Sequence, residues 1–87
     1  MSNAKKTSQL VDDFLEQYGK ICIEELQARQ CVDNIDKSGL EASDKVTYKQ
    51  PIQQDWLQGI ASVRLDMEGA LSRAILDSDA SYLEEWL

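Results

Sequence analysis

The sequence contains no histidine, and its 87 residues include only one proline, four glycines and two cysteines. Without histidine the chain lacks the general base of Ser–His or Cys–His catalysis and the Glu-x-x-His ligands of a di-iron helical bundle. It also lacks a Gly-x-Ser-x-Gly turn and a glycine-rich phosphate loop. These absences predict a protein that is not an enzyme and that needs neither a metal ion nor a cofactor.

Positively charged residues are scarce as well. Nine lysines and arginines face 16 aspartates and glutamates, so the net charge is −7. Such a surface repels nucleic-acid phosphates and anionic membranes, and the only adjacent basic pair is Lys5–Lys6. No apolar run approaches the ~18 residues of a membrane-spanning helix, and no basic-then-apolar leader precedes the first helical pattern. We expect a cytoplasmic protein that binds neither nucleic acid nor membranes, and for which a basic protein is a compatible partner.

The two cysteines support the same compartment. Cys22 and Cys31 lie nine residues apart in one predicted helix, which places them on opposite sides and ~13 Å apart along the axis. A disulfide needs Cα atoms within ~7 Å, so the two thiols cannot pair with each other. Free thiols are typical of the reducing cytoplasm.

The spacing of apolar residues predicts an all-α chain with a single helical domain over residues 8–87. Residues 1–7 are expected to form a flexible tail, and its Ser-Asn-Ala sequence resembles a cloning scar. Ser8 is a candidate cap of the first helix, Gly39 is expected in a left-handed conformation just after that helix, and Pro51 suits the first position of the second. The predicted elements are a helix over 8–37, a loop over 38–50, a helix over 51–77 and a short helix over 79–87.

The two long helices match in length and therefore predict an antiparallel hairpin. The second helix is apolar on its rear side as well as on the side that would face the first. One hairpin partner cannot cover both sides, so either the C-terminal helix folds back or another chain supplies the cover. Because an isolated hairpin of this size buries little surface, we expect a dimer resembling a four-helix bundle.

Two groups of residues are candidates for association. Glu25 and Arg29 have the spacing of a helical ion pair and lie near the centre of the first helix's apolar stripe, either as a partly buried layer that fixes the helix alignment or as a solvated pair. The aromatic C-terminus is either an anchor for a partner or a cover over Leu65 and Leu76. The full candidate set is Glu25, Arg29, Leu57, Leu65, Leu76, Tyr82, Leu83, Trp86 and Leu87.

These features favour a small acidic protein-binding or regulatory module that acts through a helical surface. The alternative is an acidic decoy, borne by a phage or mobile element, that inhibits a nucleic-acid-binding enzyme. A third interpretation is a helical-bundle enzyme that uses carboxylates and a divalent metal ion. Decoy binding would weaken steeply with salt, whereas binding through an apolar groove would not.

Overall fold

The computed structural model describes the backbone of residues 2–87 and the side chains of residues 6–87. The described chain is all-α, as predicted. Its elements are α1 (Ser2–Asp36), α2 (Ala42–Pro51), a π-helical turn (Ile52–Leu57), α3 (Gln58–Asp77) and a C-terminal 3₁₀ helix (Ala80–Trp86).

α2, the π-helical turn and α3 follow one another without a break and form a single helix of 36 residues. This helix runs antiparallel to α1, because Tyr18 at the middle of α1 contacts Glu68 whereas Asp36 at its end contacts Lys49, earlier in the second helix. The resulting hairpin is a rod of 61 × 16 × 16 Å.

The connection between the long helices is much shorter than predicted. Residues 42–50, expected to be loop, are helical, and only residues 37–41 separate α1 from α2. Sequence periodicity missed α2 because none of its residues is buried, and its large side chains Val46 and Tyr48 are exposed. Polar contacts hold it instead: Lys49 Nζ lies 2.6 Å from Asp36 Oδ1, and Lys45 Nζ donates to the Asp36 carbonyl at 2.8 Å.

Pro51 does not begin the second helix but lies inside it, at the end of α2. Proline has no N–H to donate and its ring crowds the preceding turn, so an uninterrupted α-helix is disfavoured there. The chain continues through a wider π-helical turn directly after the proline, a feature that is rare and occurs mostly as a single turn inside an α-helix. Trp56 in this turn donates its indole N–H to Glu24 Oε1 of α1 at 3.1 Å, which ties the turn to the other helix.

Both predicted features of the ends of α1 are wrong. The helix begins at Ser2, so Ser8 lies within it and residues 2–7 are helical rather than a separate tail; Met1 lies outside the described residues. At the other end, Gly39 does not adopt a positive φ. Instead, the Ser38 hydroxyl donates to the Ile35 carbonyl at 2.6 Å and Lys45 Nζ donates to the Asp36 carbonyl. These two bonds satisfy carbonyls at the end of α1 that have no partner within the helix.

The core lies at the open end of the hairpin, where the C-terminal segment joins the two long helices. Phe14 of α1, Met67 of α3 and Leu83 of the 3₁₀ helix are almost fully buried against one another, with Ala74 beside them. Tyr18 extends this cluster, because its ring stacks on Phe14 with centroids 6.4 Å apart. Three elements are therefore needed to exclude water from one small core.

A sharp turn after α3 directs the C-terminal segment to this core. The predicted restart near Asp77 is confirmed: Ser78 is left-handed, with φ 51° and ψ 43°, and ends α3. Asp79 then caps the 3₁₀ helix by accepting a hydrogen bond from the Ser81 N–H at 3.0 Å. The Ser81 side chain, and then its backbone N–H, lower the pKa of the Asp79 carboxyl. Leu83 and Trp86 consequently fold back onto the front of the hairpin.

The rear side of α3 remains uncovered. The prediction that the C-terminus closes over Leu65 and Leu76 is wrong, because Leu65 is 59% exposed and Leu76 is 82% exposed. The left-handed Ser78 is the physical reason, since it takes the chain off the helical path that would have continued the rear side.

Candidate functional site

A cluster of polar side chains joins the two long helices in the middle of the hairpin. The Tyr18 hydroxyl donates to Glu68 Oε2 at 2.5 Å, and Arg64 Nε donates to Glu25 Oε1 at 3.0 Å. Arg64 Nη1 also donates to Glu68 Oε2 at 3.1 Å, so the four side chains form one connected network. We call Tyr18, Glu25, Arg64 and Glu68 the bridging cluster.

Helical spacing brings these residues together. Tyr18 and Glu25 are seven residues apart and share one side of α1, whereas Arg64 and Glu68 are one turn apart on α3. Antiparallel packing then places the two pairs opposite each other. The cluster therefore fixes how far α1 slides along α3.

The predicted ion pair of Glu25 and Arg29 is only the outer part of this cluster. The Glu25 side chain is 12% exposed, whereas that of Arg29 is 63% exposed and its Nη2 lies 3.6 Å from Glu25 Oε2. The closer partner of Glu25 is Arg64, which the sequence analysis did not identify. The spacing of Arg64 and Glu68 was a visible signal, but nothing in the sequence showed that Arg64 faces α1.

The electrostatics of the cluster favour a structural role. The hydrogen bond to Glu68 raises the pKa of Tyr18 to about 12, with a smaller contribution from Cys22. The Tyr18 and Arg64 hydrogen bonds lower the pKa of Glu68, and Glu68 and then Glu25 raise the pKa of Arg64. Glu68 and Arg64 thus keep their charges at neutral pH, and the raised pKa of Tyr18 keeps its hydroxyl neutral there. These three groups can clamp the helices and present charge, and none of the three is poised for proton transfer near pH 7.

Alkaline pH should weaken the clamp. An unfolded Tyr18 ionises near 10, and the folded one at about 12, so its contribution to stability is complete below pH 10 and is lost as the pH rises to 12. Comparing the tyrosinate absorbance of the wild type with that of Tyr18→Phe isolates this group. The difference should titrate at about 12; a difference that titrates near 10 would show that the hydrogen bond is absent.

The second candidate site is an apolar surface on the outside of α3. Leu65 and Leu76 are 59% and 82% exposed and lie on the side turned away from the core, whereas Ile75 is 69% exposed on a flank of α3 and also lines the cleft beside the core. We call these three residues the outer surface. Leu65 and Leu76 are eleven residues apart, so they share one side of α3, and Gly69 and Ser72 lie between them on that side.

The remaining predicted association residues are divided between core and surface. Leu83 is fully buried inside the chain, and Trp86 packs on the same core. Leu57 is partly buried. Tyr82 and Leu87 are 38% and 53% exposed, and the Tyr82 hydroxyl donates to Asp77 Oδ2 at 2.8 Å. The aromatic C-terminus is thus largely part of the core, and only its edges are available to a partner.

One cleft adjoins the core. It measures about 270 Å³ and is almost wholly apolar, with walls from Val11, Leu71, Ile75 and Leu83.

Among residues whose side chains are described, no group of three or more Cys, Asp or Glu residues is arranged to hold a metal ion. None of the described helices combines the length and apolar character needed to cross a bilayer.

Comparisons with models of protein families, with curated proteins and with solved structures gave no match to this chain.

Proposed function

We propose that this protein is a small, non-catalytic protein-binding module that works as a homodimer with four-helix packing. The observation that carries the proposal is the amount of surface left exposed. The described chain exposes 6218 Å², whereas a compact monomer of 9.9 kDa exposes about 5,200 Å². The excess is close to the ~800 Å² that each partner gives up in a standard protein interface.

The character of that surface supports the same proposal. Twelve large apolar side chains among the described residues are between 37% and 82% exposed, whereas only Phe14, Met67 and Leu83 are large and almost fully buried. Apolar groups exposed in rows mark interaction sites more often than isolated ones do. Self-association accounts for part of this surface, and the outer surface remains for a different protein.

The distribution of charge favours apolar binding over an acidic decoy. A decoy needs free carboxylates along one face, but six of the 16 acids lie within 4 Å of a lysine or arginine. Lys20, Lys37 and Arg73 each lie within 4 Å of an acid one turn away, at 3.9, 2.8 and 3.9 Å. Glu25, Asp36 and Glu68 are also paired with arginine or lysine.

Charged substitutions on the outer surface test the proposal. Leu65→Glu with Leu76→Glu should abolish cross-linking of the tagged protein to its partner in lysate of the source organism. The substitution is expected to leave the fold intact because both side chains are mostly exposed. Ser43→Glu with Gln50→Glu adds the same charge at exposed positions of α2, which lie 15 or more residues before Leu65, and should leave cross-linking unchanged.

The salt dependence separates the two modes of binding. A partner held by the outer surface should remain bound at about 0.5 M salt, since screening acts on charges and not on apolar contacts. Release of the partner by salt and its displacement by added nucleic acid would contradict the proposal and favour the decoy. Equal recovery of the cross-linked partner by the wild type and by the Leu65→Glu, Leu76→Glu variant would also contradict the proposal.

A further inference from the structure

α1 carries a second stripe of residues that the core does not use. Its members are spaced alternately by three and four residues, which is the heptad pattern of a helix that packs along a second helix. They lie roughly 100° around α1 from Phe14 and Ile21, which face the core. We call this set the α1 stripe: Asp12, Leu15, Gly19, Cys22, Leu26 and Arg29.

The α1 stripe is exposed at both ends and at its two leucines, whereas Gly19 and Cys22 at its middle are partly buried. Leu15 is 46% exposed and Leu26 is 55% exposed, although both lie on the longest helix of the chain. Asp12 and Arg29 at the two ends are exposed as well. The apolar positions are therefore at the centre of the stripe and the charges are at its ends.

Gly19 is a helix-interior glycine for which the single chain offers no packing reason. A Cβ atom built at this position meets nothing within 4 Å, as is also true of Gly59 and Gly69 in the second long helix, so no neighbour in the chain requires the missing side chain. Glycine inside a helix is unfavourable relative to alanine, and one reason to keep it is close approach of another backbone. Gly19 and Cys22 are the two smallest members of the α1 stripe and lie next to each other at its middle.

We infer that the α1 stripe packs against the α1 stripe of a second copy of this chain in antiparallel orientation, an arrangement that rests on the dimer proposed above. About a twofold axis midway along the stripe, Leu15 lies opposite Leu26 of the second copy and Gly19 opposite its Cys22. The ends then pair Asp12 with Arg29 of the second copy, twice. Charge disfavours the parallel alternative, because it would place Asp12 against Asp12 and Arg29 against Arg29.

Exchanging the end charges tests this arrangement. Asp12→Arg and Arg29→Asp should each turn two attractive contacts into repulsive ones and weaken the dimer about tenfold or more, measured by sedimentation equilibrium. An equimolar mixture of the two variants should form a heterodimer with affinity within about threefold of the wild type, because every end contact is again attractive. Asp13→Arg, which makes the same charge change one residue off the stripe, should leave the wild-type affinity within about threefold.

Circular dichroism of each variant shows whether the helices are intact, and the mixture gives a readout that loss of fold cannot imitate. Two results would overturn the antiparallel arrangement while leaving the proposed dimer intact. In the first, neither single variant weakens the dimer; in the second, the mixture does not recover the wild-type affinity. A wild type that remains monomeric up to about 100 µM overturns both the arrangement and the dimer.

Discussion

Replacing Phe14 by alanine is expected to lower the free energy of unfolding by about 3–5 kcal/mol. Phe14 is 0% exposed and touches the core from the side of α1, where it meets Met67 and Leu83. The substitution leaves a cavity, and no other large side chain of α1 is fully buried among the described residues. Few neighbouring side chains of α1 can therefore move in to fill that cavity. A loss of this size is a large share of the 5–15 kcal/mol by which domains are stable.

Urea unfolding followed by far-UV circular dichroism measures this loss, at equal chain concentrations because association also stabilises the folded state. Leu76→Ala is the matched control: its side chain is 82% exposed, and its removal should change stability by no more than about 0.5 kcal/mol. Similar effects of the two substitutions would contradict the core described above.

Ending the chain after Asp79 is expected to destabilise the protein by about 4 kcal/mol or more. The truncation removes the 3₁₀ helix, and with it fully buried Leu83 and the Trp86 ring that packs on the same core. Burying one large apolar side chain contributes ~1.5–3 kcal/mol, and the truncation also exposes Met67 and Ala74 to water. Thermal unfolding should therefore occur at a much lower temperature.

Removing Leu87 alone is the control for this truncation. Leu87 follows the 3₁₀ helix and is 53% exposed, so its loss should leave the melting temperature nearly unchanged. A chain ending after Asp79 that keeps the wild-type melting temperature would contradict the role of the C-terminal segment as a part of the core. It would favour the alternative in which the aromatic terminus is an anchor for a partner.

The helical class and the hairpin were predictable because apolar residues recur at helical spacing in both long helices. α2 was not, since a helix without buried residues leaves no periodic apolar signal. Its polar ties, such as Lys49 with Asp36, join residues 13 apart in sequence and appear only once the chain has turned. The restart at Ser78 was predictable from polar residues that favour caps, but its left-handed geometry decided which side the C-terminus covers.

The bridging cluster was only half visible in the sequence. Glu25 stood out because a charge interrupts an apolar stripe, and the structure places its side chain among the less exposed carboxylates, at 12%. Its true partner could not be chosen, since the sequence offers Arg29 one turn away and does not give the register between α1 and α3. That register depends on the core packing of Phe14 and Met67 together with the contacts of the bridging cluster, and both are properties of the folded hairpin.

The mass of the wild-type protein in sedimentation equilibrium, followed over a dilution series, tests the central claim most directly. A dimer with four-helix packing predicts twice the 9.9 kDa mass of one chain at high concentration, with dissociation on dilution to a single smaller species. A mass of 9.9 kDa at every concentration would contradict the claim and would leave the excess apolar surface to a different protein alone.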